Sequence, residues 1–326
     1  MSRDDGSSQS PPEYARPKAL PETVTLVEMG ARDGLQNQPK VLSAEIRSEL
    51  INRLAKAGLK RIEAGSFVSP RAIPQMADSD KVFALLHRQP GIVYSALTPN
   101  LRGFEAALTA GADEVAVFAS ASEGFSQKNI NCSISESLKR FEPVMAVAQQ
   151  HGLKVRGYVS CVMGCPYDGD IQPFAVADVA DQLWQMGCYE ISLGDTIGAG
   201  TPLKAKRLLE HTSKNIPVQS LAAHFHNTYG QALANIYALL EEGLSVIDTS
   251  VAGLGGCPYA PGASGNLATE DAAYMLEGMG IKTGVNMEGL LKAATFICDQ
   301  LGITSRSNVG LALMSRNCSD LKDKPL

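Results

Sequence analysis

No stretch of this 326-residue chain approaches the roughly 20 consecutive apolar residues that a helix needs to cross a bilayer. A membrane is therefore not an expected partner. Basic residues are not in excess either: 29 Lys and Arg stand against 34 Asp and Glu, a net charge of -5 with histidines neutral. Nothing in that balance attracts phosphate backbones or acidic lipid, so nucleic acid is not expected as a partner. The opening Met1-Ser-Arg-Asp-Asp-Gly lacks the apolar core of a secretion signal, and Asp4, Asp5 and Glu13 argue against a transit peptide. The seven cysteines, at 132, 161, 165, 188, 257, 298 and 318, are odd in number and widely spread. They read as reduced thiols and lead us to expect a cytoplasmic protein. Cys161 and Cys165 have no second cysteine pair to complete a structural zinc site. Missing too is the spaced-glycine dinucleotide fingerprint after a first strand.

What the chain does have is 44% hydrophobic residues, enough to bury a large core. Short β-branched runs at about 24–29, 60–67, 92–97, 114–119, 154–160, 188–193, 221–226 and 246–251 alternate with helical patterns such as 43–57, 101–110, 135–150, 173–186, 202–213 and 230–242. Gly58, Gly111, Gly152, Gly187 and Gly243 follow these helices where a left-handed cap is expected. Eight such units in about 250 residues predict a closed (β/α)8 TIM barrel rather than an open sheet. We expect a Ser/Pro-rich arm over 1–21, a catalytic barrel over 22–280 and a helical extension over 281–326, with a helix near 286–301.

In such barrels, functional side chains sit where strands end. Walking the strand ends gives Arg32 and Asp33 after the first, Glu63 and Ser66 after the second, Tyr158 at the fifth, Asp195 at the sixth and His224 and His226 at the seventh. His224 and His226 are two apart on a strand and share a face. Asp33 and Asn266 join them because strand one closes on strand eight. Two nitrogens and two oxygens without thiolate suit Mg²⁺ or Mn²⁺, with zinc and non-haem iron as weaker readings. Arg32 beside Asp33 is placed to hold a carbonyl oxygen that becomes negative, or to form a strand-end salt bridge. Glu63 reads as an orienting carboxylate. Asp195 stays open between that role and acid/base work.

Beyond the eighth strand, Ser250–Asn266 carries seven glycine and proline residues around Cys257. It reads as a shaped loop that sets Cys257 and Asn266, or as a turn with a structural cysteine.

Arg32-Asp-Gly-Leu-Gln-Asn37, Ser66-Phe-Val-Ser-Pro70, Leu97-Thr-Pro-Asn100, Lys128-Asn-Ile-Asn-Cys132, Arg156-Gly-Tyr-Val-Ser-Cys161, Tyr189-Glu-Ile-Ser-Leu-Gly-Asp-Thr196, His224-Phe-His226 and the Ser250–Tyr259 segment together match a known pattern. The chain resembles the hydroxymethylglutaryl-CoA lyases, metal-dependent carbon–carbon lyase barrels related to isopropylmalate and homocitrate synthases. The resemblance spans about residues 23 to 300, and the Cys257 loop is its lyase-specific part.

The resemblance implies metal ligation by Asp33, His224, His226 and Asn266, enolate stabilisation by Arg32 and proton transfer by Cys257. It also implies cleavage of 3-hydroxy-3-methylglutaryl-CoA to acetoacetate and acetyl-CoA. His224, Asp195 or a water on the metal is the candidate base. Gln36, Ser66 and Tyr158 join Arg32 as candidate substrate contacts, and Lys40, Lys128 and Arg306 are the cationic candidates for coenzyme A phosphates. A bulkier 3-hydroxy-3-alkylglutaryl-CoA, the condensation direction and a non-catalytic barrel scaffold are the alternatives. A homodimer is the default assembly, and Cys318 is a candidate for a disulfide across it. If Cys257 donates the proton that completes acetyl-CoA, Cys257→Ala is expected to lower kcat by about 10²–10⁴-fold. Steady-state kinetics check this, and wild-type turnover in the variant would remove the thiol from the chemistry.

Overall fold

The computed structural model of the protein describes residues 20–256 and 265–319, with side chains described to Met314. Cys257, most of its loop and the terminal arm lie outside the described residues, as does the side chain of Cys318.

Eight strands, β1 (Thr25–Glu28), β2 (Arg61–Ser66), β3 (Val93–Leu97), β4 (Glu114–Ser120), β5 (Lys154–Ser160), β6 (Glu190–Asp195), β7 (Leu221–Phe225) and β8 (Val246–Thr249), close into a barrel in sequence order. Every pairing is parallel, including the closure of β8 on β1. Around it lie α1 (Ala44–Lys56), α2 (Ser79–Ala84), α3 (Leu101–Thr109), α4 (Glu123–Ile130), α5 (Ile134–His151), α6 (Pro173–Gln185), α7 (Pro202–Thr212), α8 (Ala232–Leu240) and α9 (Thr269–Gly278). The (β/α)8 expectation therefore holds. The helix expected near 286–301 is α10 (Met287–Leu301), and α11 (Asn308–Ser319) follows it. Among the described residues no helix is long and apolar enough to cross a membrane.

Local chemistry explains the boundaries. Ser43, Asn100, Ser122 and Asn286 accept amide hydrogen bonds at the starts of α1, α3, α4 and α10, and Ser133 with Glu136 forms a capping box on α5. All five glycines expected to end helices have positive φ. At Gly58 a Cβ would lie 2.2 Å from the carbonyl oxygen of Gly284, so no side chain fits there.

The barrel interior is layered. Arg61, Glu114 and Glu190 open β2, β4 and β6, and their ion pairs close the amino-terminal end. Val27, Met29, Leu97, Ala116, Tyr158, Ala222 and Val246 form an apolar collar. The larger core lies between strands and helices.

A second acidic pair holds the turn that launches the Cys257 loop. Glu28 accepts from the amides of Gly30 and Val251 at 2.7 and 2.8 Å and from the Thr269 hydroxyl at 2.6 Å. Glu270 accepts from the Ala252 amide at 2.9 Å, where φ is +58°. Burial pushes Glu28 up to about 7 and Glu270 up to about 8.

These raised values give the folded chain protons that the unfolded chain releases above about 4.5, so stability falls as pH rises from there to about 8. Glu270→Gln keeps an acceptor and removes the ionisation. We expect it to melt higher than wild type at pH 8, by about 2–4 °C for each kcal/mol gained, and to converge with wild type at pH 4.5. Melting curves across that window check this; parallel curves would contradict it.

Candidate active site

Just after β1, the Gly34 amide reaches back to the Met29 carbonyl at 3.1 Å, an i to i+5 bond that widens one helical turn. The turn sets Arg32 and Asp33 side by side at the carboxyl end of the barrel. Arg32 donates through Nε to Glu63 on β2 and through Nη1 to Asp33 at 2.7 Å. Burial opposes its charge, but Glu63 and Asp33 outweigh that and hold Arg32 above its ordinary value. Burial likewise works against the Asp33 carboxylate, and Arg32 with the two histidines overrides it, leaving Asp33 at about 2.

His224 ends inside β7 and His226 lies just past it, with ring centroids 5.7 Å apart. His224 Nε2 stands 3.9 Å from Asp33 Oδ2. Asp33, His224 and His226 form a group that could hold a metal ion, with one ligand atom from each within 4.8 Å of the others. His226 fits that use. Burial, aided by His224, lowers it to about 4, so it is a neutral imidazole, and its buried Nδ1 has no hydrogen-bond partner among the described residues. Imidazole nitrogen and carboxylate oxygen together suit a divalent ion of intermediate hardness.

Asn266 arrives on the returning chain. The Asn227 amide donates to the Gly265 carbonyl, the Leu267 amide donates to Phe225, and Asn266 bridges His226. Its amide nitrogen donates to Asp33 Oδ2 at 2.7 Å and to the Leu254 carbonyl at 3.2 Å. Ligation through its oxygen therefore requires the amide to turn over, a choice that the hydrogen-bond network sets. Gln36 donates to the other Asp33 oxygen at 2.8 Å.

A cavity of about 470 Å³ opens above this cluster. Arg32, Asp33, Gln36, Tyr158, His224 and His226 line its polar side; Val68, Ile73, Leu97, Phe118, Phe125 and Ile130 line its apolar side. Among the described residues, hollows of about 910 and 700 Å³ elsewhere contain no such cluster.

Two expected site residues do not reach it. Asp195 pairs in register with Phe225, which faces the outer core between the inward histidines, so Asp195 points outward as well. Its carboxylate accepts from the amides of Ala199 and Gly200 at 3.2 and 2.8 Å. The strand runs two residues past its expected end, so Asp195 is its last residue, held to the outer face by alternation, and not part of the mouth loop. Ser66 follows a register slip between Glu63 and Gly65, and its hydroxyl donates to the Leu97 carbonyl at 3.4 Å. It lines the 910 Å³ hollow instead.

Among the cationic candidates, Lys40 donates to the Gln300 carbonyl and Arg306 to that of Gly255. Lys128 is exposed on α4, next to the cavity-lining Asn129.

Asp248 and Arg156 were not foreseen. Asp248 is 2% exposed and accepts from Arg156 at 2.9 and 2.7 Å, from Ser192 at 2.8 Å and from His224 Nδ1 at 3.2 Å. Burial disfavours its charge, but Arg156 overrides this and holds Asp248 below the usual carboxylate range. Arg156 also donates to the Tyr158 hydroxyl at 2.9 Å, and Tyr158 donates to Glu63 at 3.4 Å. The available signal was a lone aspartate inside the short apolar strand of residues 246–249.

A parallel barrel that gathers a carboxylate, two imidazoles and an ion-paired arginine at one cavity beyond its strand ends is an enzyme scaffold with a metal-capable centre. The chain belongs to the HMGL-like family, whose model matches residues 23–297. It is 58% identical over 297 residues to the 3-hydroxy-3-isohexenylglutaryl-CoA/hydroxy-methylglutaryl-CoA lyase of Pseudomonas aeruginosa, covering 91% of this chain and 99% of that one. It also superposes on a crystal structure of hydroxymethylglutaryl-CoA lyase from the same species with a TM-score of 0.90, at 57% identity, 91% of this chain and 99% of that chain. An HMG-CoA lyase from Acinetobacter baumannii, solved in complex with coenzyme A and 3-methylmalate, gives a TM-score of 0.85 at 36% identity, over 89% of this chain and 95% of that one.

Asp33→Ala is expected to weaken Mn²⁺ binding by more than the roughly 10–100-fold that loss of a supporting contact costs, while the protein still unfolds cooperatively. Titration followed by electron paramagnetic resonance checks this; wild-type affinity would remove Asp33 from the ligand set.

Proposed function

We infer that this chain cleaves 3-hydroxy-3-methylglutaryl-CoA to acetoacetate and acetyl-CoA. The observation that carries the reading is Arg32, held by Glu63 on one side and Asp33 on the other, beside two histidines at the floor of one cavity. Relatives of closely similar sequence and fold that are named for this activity support it.

Cleaving the bond between C2 and C3 needs the tertiary hydroxyl to lose its proton and the departing carbanion to delocalise into its thioester. A divalent ion on Asp33, His224, His226 and a turned Asn266 would supply the positive charge that acidifies that hydroxyl. Arg32 faces the developing enolate oxygen with a charge that two carboxylates hold in place. Tyr158, whose hydroxyl burial keeps well above its ordinary value, stays a neutral donor and steadies Glu63. Gln36 fixes the second oxygen of Asp33. Cys257 completes the proposal as the acid that converts the carbanion to a methyl group, a role that rests on its sequence context. The apolar wall from Val68 to Ile130 gives the acyl chain and pantetheine a dry surface. The complex of coenzyme A with a family member supports an acyl-CoA substrate.

Mg²⁺ or Mn²⁺ as the ion, a homodimer as the assembly and a cytoplasmic location belong to the same proposal. Oxygen donors beside imidazole nitrogens, with no thiolate among them, support the first. Five free, buried cysteines among the described residues accord with the last.

Enzyme treated with EDTA is expected to release no acetyl-CoA from 3-hydroxy-3-methylglutaryl-CoA in a coupled assay, and to recover on addition of Mg²⁺ or Mn²⁺. Arg32→Met should lower kcat by about 10²–10³-fold, the usual loss for one oxyanion donor. Folded, metal-loaded enzyme without turnover would overturn the reading.

A further inference from the structure

The two histidines of the cluster are not equivalent. Among the described residues His226 has a buried Nδ1 with no partner, whereas His224 places its Nδ1 3.2 Å from Asp248 Oδ2. The contact follows from the barrel itself, because β7 and β8 pair in parallel with His224 directly opposite Asp248. A carboxylate accepts and cannot donate, so its four neighbours, two Arg156 nitrogens, the Ser192 hydroxyl and His224, all bring protons to it.

Asp248 cannot swing away to serve another partner. Arg156 grips both of its oxygens, and Arg156 is itself tied through Nε to Glu190 at 2.6 Å, which Arg61 holds at 2.9 Å. Buried ion pairs thus run from the amino-terminal end of the barrel to the edge of the cavity.

We propose that Asp248 is a positioning residue that fixes His224 as the Nδ1–H tautomer, leaving Nε2 bare and aimed at Asp33 and His226. The arrangement has the form of a carboxylate–histidine–metal triad, in which the outer carboxylate sets the orientation and basicity of the ligand. It rests on the reading of His224 as a ligand and carries that reading further. With Nδ1 donating to Asp248 and Nε2 committed to the ligand set, His224 has no nitrogen left to take the substrate's hydroxyl proton. That removes it from the candidate bases.

The direct test needs no substitution. Long-range proton–nitrogen correlation spectra of EDTA-treated wild-type enzyme, labelled on histidine, report which ring nitrogen carries hydrogen; His224→Gln assigns the signal. A proton on Nδ1 alone at mildly alkaline pH is the expected result. A proton on Nε2, alone or together with Nδ1, overturns the proposal.

Asp248→Asn supplies a second readout. We expect Mn²⁺ affinity to fall by about 10–100-fold and kcat at saturating metal to fall while KM stays within about twofold of wild type. A folded variant with wild-type metal affinity and kcat overturns the proposal, and if the variant does not fold, the spectra alone decide. Because they do not depend on turnover, an inactive enzyme with the Nδ1–H ring would contradict the lyase reading only.

Discussion

The site exists because β1 closes on β8. Asp33 stands some 190 residues before His224 and 233 before Asn266, and only the parallel register from Thr25 opposite Val246 to Glu28 opposite Thr249 brings the turn after β1 to the loop after β8. The same ring of pairings sets Val27, Asp248, His224 and Gly194 at one level of the barrel. Everything with chemical meaning is built one step above that level: the widened turn carrying Arg32 and Asp33, the second histidine, and Asn266 returning beside it.

Charge is distributed along the barrel axis in an unusual proportion for an interior. Arg61, Glu190, Arg156, Asp248, Glu63 and Arg32 are buried or nearly so, yet each is paired. Burying ion pairs costs desolvation that their attraction does not reliably return, so stability alone is a poor reason for the column. Orientation is a better one. Arg156 sits where two lines of contact divide, one through Asp248 to His224, the other through Tyr158 and Glu63 to Arg32. A single guanidinium thereby relates the histidine side of the site to the Arg32 side.

Much of this was legible in the sequence. Eight β-branched runs, glycine-terminated helices and polar residues at successive strand ends pointed to the barrel, and a His-x-His pair with Arg32-Asp33 identified the cluster. What was lost depended on alternation and on distance. A strand end placed two residues short left Asp195 in the loop at the barrel mouth, whereas it is the last strand residue and its register partner Phe225 shows that it faces out. A slip between Glu63 and Gly65 turned Ser66 from the cavity. Asp248 and Arg156 are 92 residues apart and meet only across the closed barrel, so no local pattern joins them. Charge alone singles out Lys128 in the sequence, and only the position of α4 beside the cavity gives it a context.

If closure of the barrel builds one divalent centre, the substrate is held on it for cleavage. A crystal structure with Mn²⁺ and a hydroxy-dicarboxylate analogue, using anomalous scattering to locate the metal, tests this most directly. The expected result is one peak bonded to Asp33, His224 Nε2, His226 and the turned amide oxygen of Asn266, with analogue oxygens completing its shell and Arg32 beside the analogue. A peak elsewhere, or an analogue bound away from these residues, would contradict it.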